Sequence, residues 1–234
     1  MINFALKFKL ISNLLILTYY TEFMQIKTFI FNPFMENTYV VWDESNEAAI
    51  IDCGCLYENE EKQLKQFVED NNLIVKYLIN THLHLDHQFG NYFAAQTFGV
   101  LPKAHKDDEK LIENLKSQAM IFGIPVQVEA QNLGGYLDEK DEIRLGNTIL
   151  KVIHVPGHSA GHLCFYNEKD KVLFSGDVLF AGSIGRTDLP GGNFEQLITN
   201  IKQKLLTLPD GTAVFCGHGE NTTIGNEKQH NPFL

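Results

Sequence analysis

The stretch NTHLHLDHQFG (80–90) places His82, His84 and His87, three of the chain's nine histidines, together with Asp86 within six consecutive positions. Packing gives no reason for this crowding, because adjacent imidazoles are awkward to bury and repel one another once protonated. Metal binding does give a reason. Further along, PGHSAGH offers His158, SGD offers Asp177 and CGH offers His218. The sum is five histidines and two aspartates, with no thiolate among them. One tetrahedral zinc site needs about three protein ligands and an open position for water. Seven donors exceed that and suit two neighbouring metals, roughly 3.5–4 Å apart, that share a carboxylate, activate a water and stabilise a developing oxyanion. A mostly imidazole set leaves zinc, iron and manganese open, with zinc taken first.

The donors follow apolar segments that read as strands. LIVKYLIN (73–80) precedes the histidine cluster, TILKVIHV (148–155) precedes His158, KVLFSGD (171–177) ends on Asp177, and TAVFCGHG (212–219) carries His218. Strand ends gathered on one edge of a sheet aim loop residues into a shared crevice. Upstream, IKTFIF (26–31), NTYVVW (37–42) and EAAIID (47–52) alternate as short strands, and HLCFYN (162–167) is another. Helical spacing marks 58–72, 88–98, 106–122 and 193–208. The last has an apolar stripe of Phe194, Leu197, Ile198, Ile201 and Leu205, and a short polar tail follows residue 219. Strands and helices recur in two similar halves without a linker, which predicts one layered α/β domain over 24–234. Residues 1–23 carry Lys7, Lys9 and an apolar run without a small-residue cleavage site. They are read as an upstream extension, with Met24 as the working start.

The bulk composition narrows the partners. A formal net charge of −10 argues against nucleic acid and anionic membrane, both of which need basic patches. Four cysteines, Cys53, Cys55, Cys164 and Cys216, do not form a disulfide framework in a chain of 234 residues, and reduced thiols in a cytoplasmic protein are expected.

The motif THLHLDH (81–87), followed in order by His158, Asp177 and His218, resembles the metallo-β-lactamase fold superfamily. GSIGRTDLPGGN (182–193) is similar to the glyoxalase II-like (hydroxyacylglutathione hydrolase-like) hydrolases, particularly their short single-domain bacterial members. The resemblance runs from about Met24 to Gly219. It implies a four-layer αββα sandwich of two mixed β-sheets with the metals along one edge. It also implies that His82, His84 and His158 hold one divalent metal, that Asp86, His87 and His218 hold a second, and that Asp177 bridges them. Water activated there attacks the carbonyl of a small thioester, with Asp86 and Asp177 as catalytic residues. Full-length glyoxalase II enzymes add a helical domain that helps bind glutathione, whereas only fifteen residues follow Gly219 here. The thiol of the substrate is therefore open. CGC (53–55) replaces the family's common proline-glycine and has no functional account at this level.

Other residues carry plainer readings. Arg186 is a substrate-binding candidate, because its planar fork suits carboxylates, and equally a residue that ties down its own loop beside Asp188. Asp52 is a candidate to orient a ligand imidazole. His154 and His162 are read as packed and hydrogen-bonded, and His105 and His230 as solvated. Two rival functions share the fold. One is a persulfide dioxygenase using a single iron; the other is a non-catalytic metal-binding module, which the full set of donors disfavours. β-Lactam hydrolysis fits the 182–193 loop less well than the thioesterase branch does.

Overall fold

Period-two alternation sorts the strands' side chains onto two faces. Val41 and Ile51 enter one core with Tyr39, Ile79, Leu150, Phe165 and Phe174, while their neighbours Val40 and Ile50 enter another with Leu64, Val68 and Ala94. The computed structural model describes residues 23–124 and 128–234. The expected upstream extension, Phe23 apart, lies outside the described residues, as does Pro125.

Two six-stranded sheets face each other. The first runs in sequence order through β1 (Gln25–Phe31), β2 (Glu36–Trp42), β3 (Glu47–Ile51), β4 (Ile74–Ile79), β5 (Pro102–Ala104) and β6 (Gly135–Tyr136). Its β1–β2–β3 part is antiparallel and its β3–β4–β5–β6 part parallel. The second contains β7 (Glu142–Leu145), β8 (Thr148–His154), β9 (Leu163–Asn167), β10 (Val172–Gly176), β13 (Ala213–Cys216) and β14 (Thr222–Thr223). Its spatial order is β14-β13-β10-β9-β8-β7, with β10 and β13 parallel and the other pairs antiparallel. A small hairpin, β11 (Leu179–Phe180) with β12 (Ser183–Ile184), follows β10.

Helix α1 (Glu58–Asp70) packs Leu64 and Val68 on the outer face of the first sheet, where Ala94 of α3 (Asn91–Phe98) joins it. A single helical turn, α2 (Leu85–Gln88), precedes α3. Outside the second sheet lies α6 (Phe194–Asn200), continued by one π-helical turn (Ile201–Leu205), which buries Leu197, Ile201 and Leu205. This is the αββα sandwich. The strands β3, β4, β8, β10 and β13 all release the chain toward one edge, so the segments after them converge.

Several boundaries differ from the sequence expectation. Residues 106–122 form a 3₁₀ turn (Lys106–Asp108) and two short helices, α4 (Lys110–Glu113) and α5 (Leu115–Ile121), because Asp108 is drawn inward by buried donors. The tail after residue 219 makes β14 and α7 (Ile224–His230), with Ile224 and Glu227 buried. Phe194, expected in the core stripe, is half exposed because it starts the helix beyond the sheet's cover. Among the described residues no helix is long and apolar enough to cross a membrane.

Candidate metal centre

Four of the histidines that the converging strand ends deliver are held by a hydrogen bond on the side away from the site. His87 follows β4 and its Nδ1 lies 3.1 Å from Asp52 Oδ2, Asp52 itself ending β3. Thr81 donates its hydroxyl to the same oxygen at 2.6 Å and lies 3.0 Å from His82 Nδ1. The Thr81 hydroxyl thus accepts from His82 Nδ1–H. His158 Nδ1–H donates to the carbonyl of Arg186 (2.8 Å), and His218 Nδ1–H donates to that of Phe34 (3.0 Å). These partners leave Nε2 of His82, His87, His158 and His218 as the lone-pair nitrogen facing inward, the arrangement that prepares an imidazole as a metal ligand.

Two sets of donors result. His84 Nδ1 and His82 Nε2 lie 2.8 and 3.2 Å from His158 Nε2. His87 Nε2 and His218 Nε2 are 3.3 Å apart, with Asp86 Oδ2 3.2 Å from His218 Nε2. Asp177 stands between the sets: Oδ1 is 3.4 Å from His87, and Oδ2 is 3.6 Å from both His158 and His218. All seven residues expected from sequence are therefore brought together. His82, His84, Asp86, His87 and His158 are buried.

The residues fit two cations. Nitrogen lone pairs converging at 2.8–3.3 Å repel unless a positive charge lies between them. Their spacing is close to the edge, about 3.3 Å, of a tetrahedron with zinc–nitrogen bonds near 2.0 Å. Asp177 Oδ1 is buried with no hydrogen bond to satisfy it, a costly state for a carboxylate. The backbone also makes room, since a Cβ on Gly217 would sit 2.1 Å from that oxygen. The clustered His and Asp side chains suit a dinuclear metal site.

Electrostatics divide the two sets. Burial holds His82 and His158 below the ordinary imidazole range and brings His84 down to about 3, each imidazole opposing charge on its neighbours. Burial also lowers His87 and His218, but the carboxylates around them outweigh it and hold both raised. Burial pushes the Asp86 and Asp177 carboxyls up, yet the surrounding imidazoles hold both well into the ionised range.

A cavity of about 350 Å³ opens above these donors. Phe34, Leu111, Phe122, Leu189 and Pro190 form an apolar wall, with Asn114, Gln118 and Arg186 as its polar members. The Arg186 guanidinium is exposed and makes a two-pronged pair with Asp188 (2.7 and 2.8 Å), so the loop-tying role is what its side chain performs here. Its carbonyl is what touches the site, through His158.

Sequence reasoning passed over two buried groups, Asp108 and Glu36. Asp108 accepts from Ser159 Oγ and Gly161 N (both 2.7 Å) and from Leu83 N (3.3 Å), clamping the loops that carry His158 and His82/His84. His162 is packed and hydrogen-bonded as expected, stacking on His82 and accepting the backbone N–H of Asp177 at 3.1 Å. Glu36 is fully buried beside Gly54, and burial pushes its carboxyl well above the ordinary carboxylate range. Asp108 has a faint signal, an acid in KDDE just before a helix, and Glu36 has none. The CGC stretch gains a packing account: a Cβ at Gly54 would strike Glu36, and both sulfurs fill space against Gly90. His105, expected in solvent, is instead buried and stacked on His154 at 4.1 Å, because the 3₁₀ turn folds it under β8. His230 is exposed.

Comparison with known proteins agrees with this architecture. Residues 31–218 match the family model of the metallo-beta-lactamase superfamily, and the chain belongs to that superfamily, a family of metallo-hydrolases. It is 41% identical over 213 residues to hydroxyacylglutathione hydrolase GloC of Haemophilus influenzae, covering 90% of this chain and 98% of that one. The crystal structure of BLEG-1 B3 metallo-beta-lactamase superposes with a TM-score of 0.81 at 35% identity, covering 90% of this chain and 99% of the other. TTHA1623 in a di-iron-bound form gives 0.78 at 34% identity, covering 89% and 100%.

Proposed function

We propose that residues 24–234 form a single catalytic domain that hydrolyses small thioesters of the hydroxyacylglutathione type in the cytoplasm. The observation that carries this reading is the pair of donor sets joined by Asp177 on the floor of a cavity with an apolar wall. The 41% identity to a hydroxyacylglutathione hydrolase supports the substrate class. His82, His84 and His158 would hold one ion and Asp86, His87 and His218 the other, with Asp177 shared. When bound, two divalent ions supply Lewis acidity and lower the pKa of water to near neutrality. Zinc is the first choice; similarity to a protein with a di-iron form supports iron as an alternative, and manganese is a third.

The chain's own groups perform the remaining tasks. Asp86 and Asp177, held ionised, accept the protons of the attacking water and orient it toward the cavity. Phe34, Phe122 and Leu111 hold the apolar part of the thioester and exclude bulk water from the carbonyl. Asn114 and Gln118 can donate amide hydrogens to the acyl or thiol portion. Arg186, at the rim, offers the N–H groups that Asp188 leaves unused to an anionic end of the substrate.

The test is hydrolysis of S-lactoylglutathione by the metal-loaded protein, with His84→Ala and Asp177→Ala measured beside it. Both variants should remain folded and lose turnover. A near-normal rate in either overturns the mechanism. Oxygen consumption and sulfite formation with one iron per chain would replace it by the dioxygenase reading, and turnover of a chromogenic cephalosporin alone would replace the substrate class.

A further inference from the structure

Outside the seven donors, a second group of ligating side chains meets where the 3₁₀ turn crosses the end of β8. His105, Asp138 and His154 each present one ligand atom, and the three atoms lie within 4.8 Å of one another. His105 Nε2 is 3.4 Å from Asp138 Oδ1, and the two imidazoles stack with planes 13° apart. We propose that these three residues form a peripheral site for a transition-metal dication, distinct from the dinuclear centre.

The donor chemistry selects the ligand. Two imidazoles with one carboxylate bind zinc, nickel, cobalt or copper, whereas calcium and magnesium prefer oxygen. His154 is set for this role: its Nε2–H donates to the Ala160 carbonyl at 3.1 Å, which leaves the Nδ1 lone pair free. Its ring is partly exposed, so it can tilt about its bond to the Ala160 carbonyl and bring that lone pair toward a shared ion. His105 is buried, and its Nδ1 accepts the backbone N–H of Asp107 at 3.2 Å; coordination at Nε2 takes the other tautomer, with Nδ1–H turned to Asp107 Oδ2, 3.7 Å away. The other charges packed around the group are Glu139, which accepts from His154 N, and Lys204, which pairs with Glu139 and donates to the His154 carbonyl. Lys204 is thus neutralised locally, while Asp107 and Asp138 leave the pocket of donors net negative.

The position joins this site to the dinuclear centre. Ala160, held by His154, lies between Ser159 and Gly161, which Asp108 holds, and His158 is the next residue upstream. An ion that fixes His105 and His154 therefore fixes both grips on the loop that presents His158.

Equilibrium dialysis of the zinc-loaded protein against micromolar free zinc, with metal counted per chain, tests the proposal. Three equivalents are expected in the wild type and two in His154→Ala and Asp138→Ala, whose positions are exposed enough to tolerate truncation. Histidine ring NMR should show the His154 signals shifting as the third equivalent binds. Two equivalents in the wild type, or a third that survives both substitutions as an adventitious ion only, overturns the site. The third equivalent should also slow chelator extraction of zinc from the centre, and an unchanged extraction rate overturns the coupling.

Discussion

Replacing Asp108 by asparagine should weaken one half of the dinuclear centre and spare the other. The carboxylate accepts from Gly161 N on one oxygen and from Ser159 Oγ and Leu83 N on the other. An amide keeps only one of those oxygens, so at least one buried donor then faces an NH₂ group. Each buried donor left unsatisfied costs about 1–3 kcal/mol. Leu83 lies between His82 and His84, and Ser159 follows His158, so the loss falls on the three residues assigned to the first ion. At about 1.4 kcal/mol per decade, affinity there should drop roughly 10- to 100-fold. Competition with a chromophoric zinc chelator resolves the two binding steps, and a denaturant titration records stability. The expected result is one weakened step, an unchanged second step, and activity restored by excess zinc. Equal weakening of both steps, or a loss of stability with zinc affinities intact, would refute the clamp and leave Asp108 as ordinary core.

Acidification should strip the two ions in a defined order. Burial keeps His82, His84 and His158 below the ordinary imidazole range, so protons do not compete for them until well under pH 6.5. His87 and His218 are raised by Asp177 and Asp86, so below their raised pKa values they bind protons in place of metal. Dialysis at stepped pH should show the Asp86/His87/His218 ion leaving first, and simultaneous loss would count against this division. Gly217→Ala should lower metal content and turnover together, because its Cβ would lie 2.1 Å from Asp177 Oδ1 and 2.8 Å from His87 Cε1. Forcing those groups apart costs about 1–3 kcal/mol, and a variant with full zinc content and wild-type rate would refute the close approach.

Much of the site was legible from residue type and spacing. The histidine cluster after an apolar strand, and three more donors each just past another such strand, required the strand ends to share an edge. Alternation in 37–42 and 47–52 likewise marked short strands, but that both of their faces are buried, Val40 in one core and Val41 in the other, came only from the packed sheets. Less visible were the short pieces: β5, β6 and β7 are three, two and four residues long and carry too few side chains to show a period. The helix expected over 106–122 was broken by something no local pattern contains, the pull of Ser159 and Gly161 on Asp108 from fifty-one and fifty-three residues away.

What the sequence alone determined is which atoms are available and the order in which they arrive: seven hard or borderline donors, no thiolate, and an apolar strand before each group. Only the tertiary structure decided how those atoms are aimed. Asp52, Thr81 and the carbonyls of Phe34 and Arg186 hold the ring nitrogens of His87, His82, His218 and His158 in place. A lone pair's direction depends on what the opposite nitrogen meets, and those partners come from distant strands and loops. The same holds for His105, whose pairing with His154 exists because a 3₁₀ turn is folded under a strand from the other sheet. Donor identity is a local property of the chain, while ligand geometry belongs to the packed sheets.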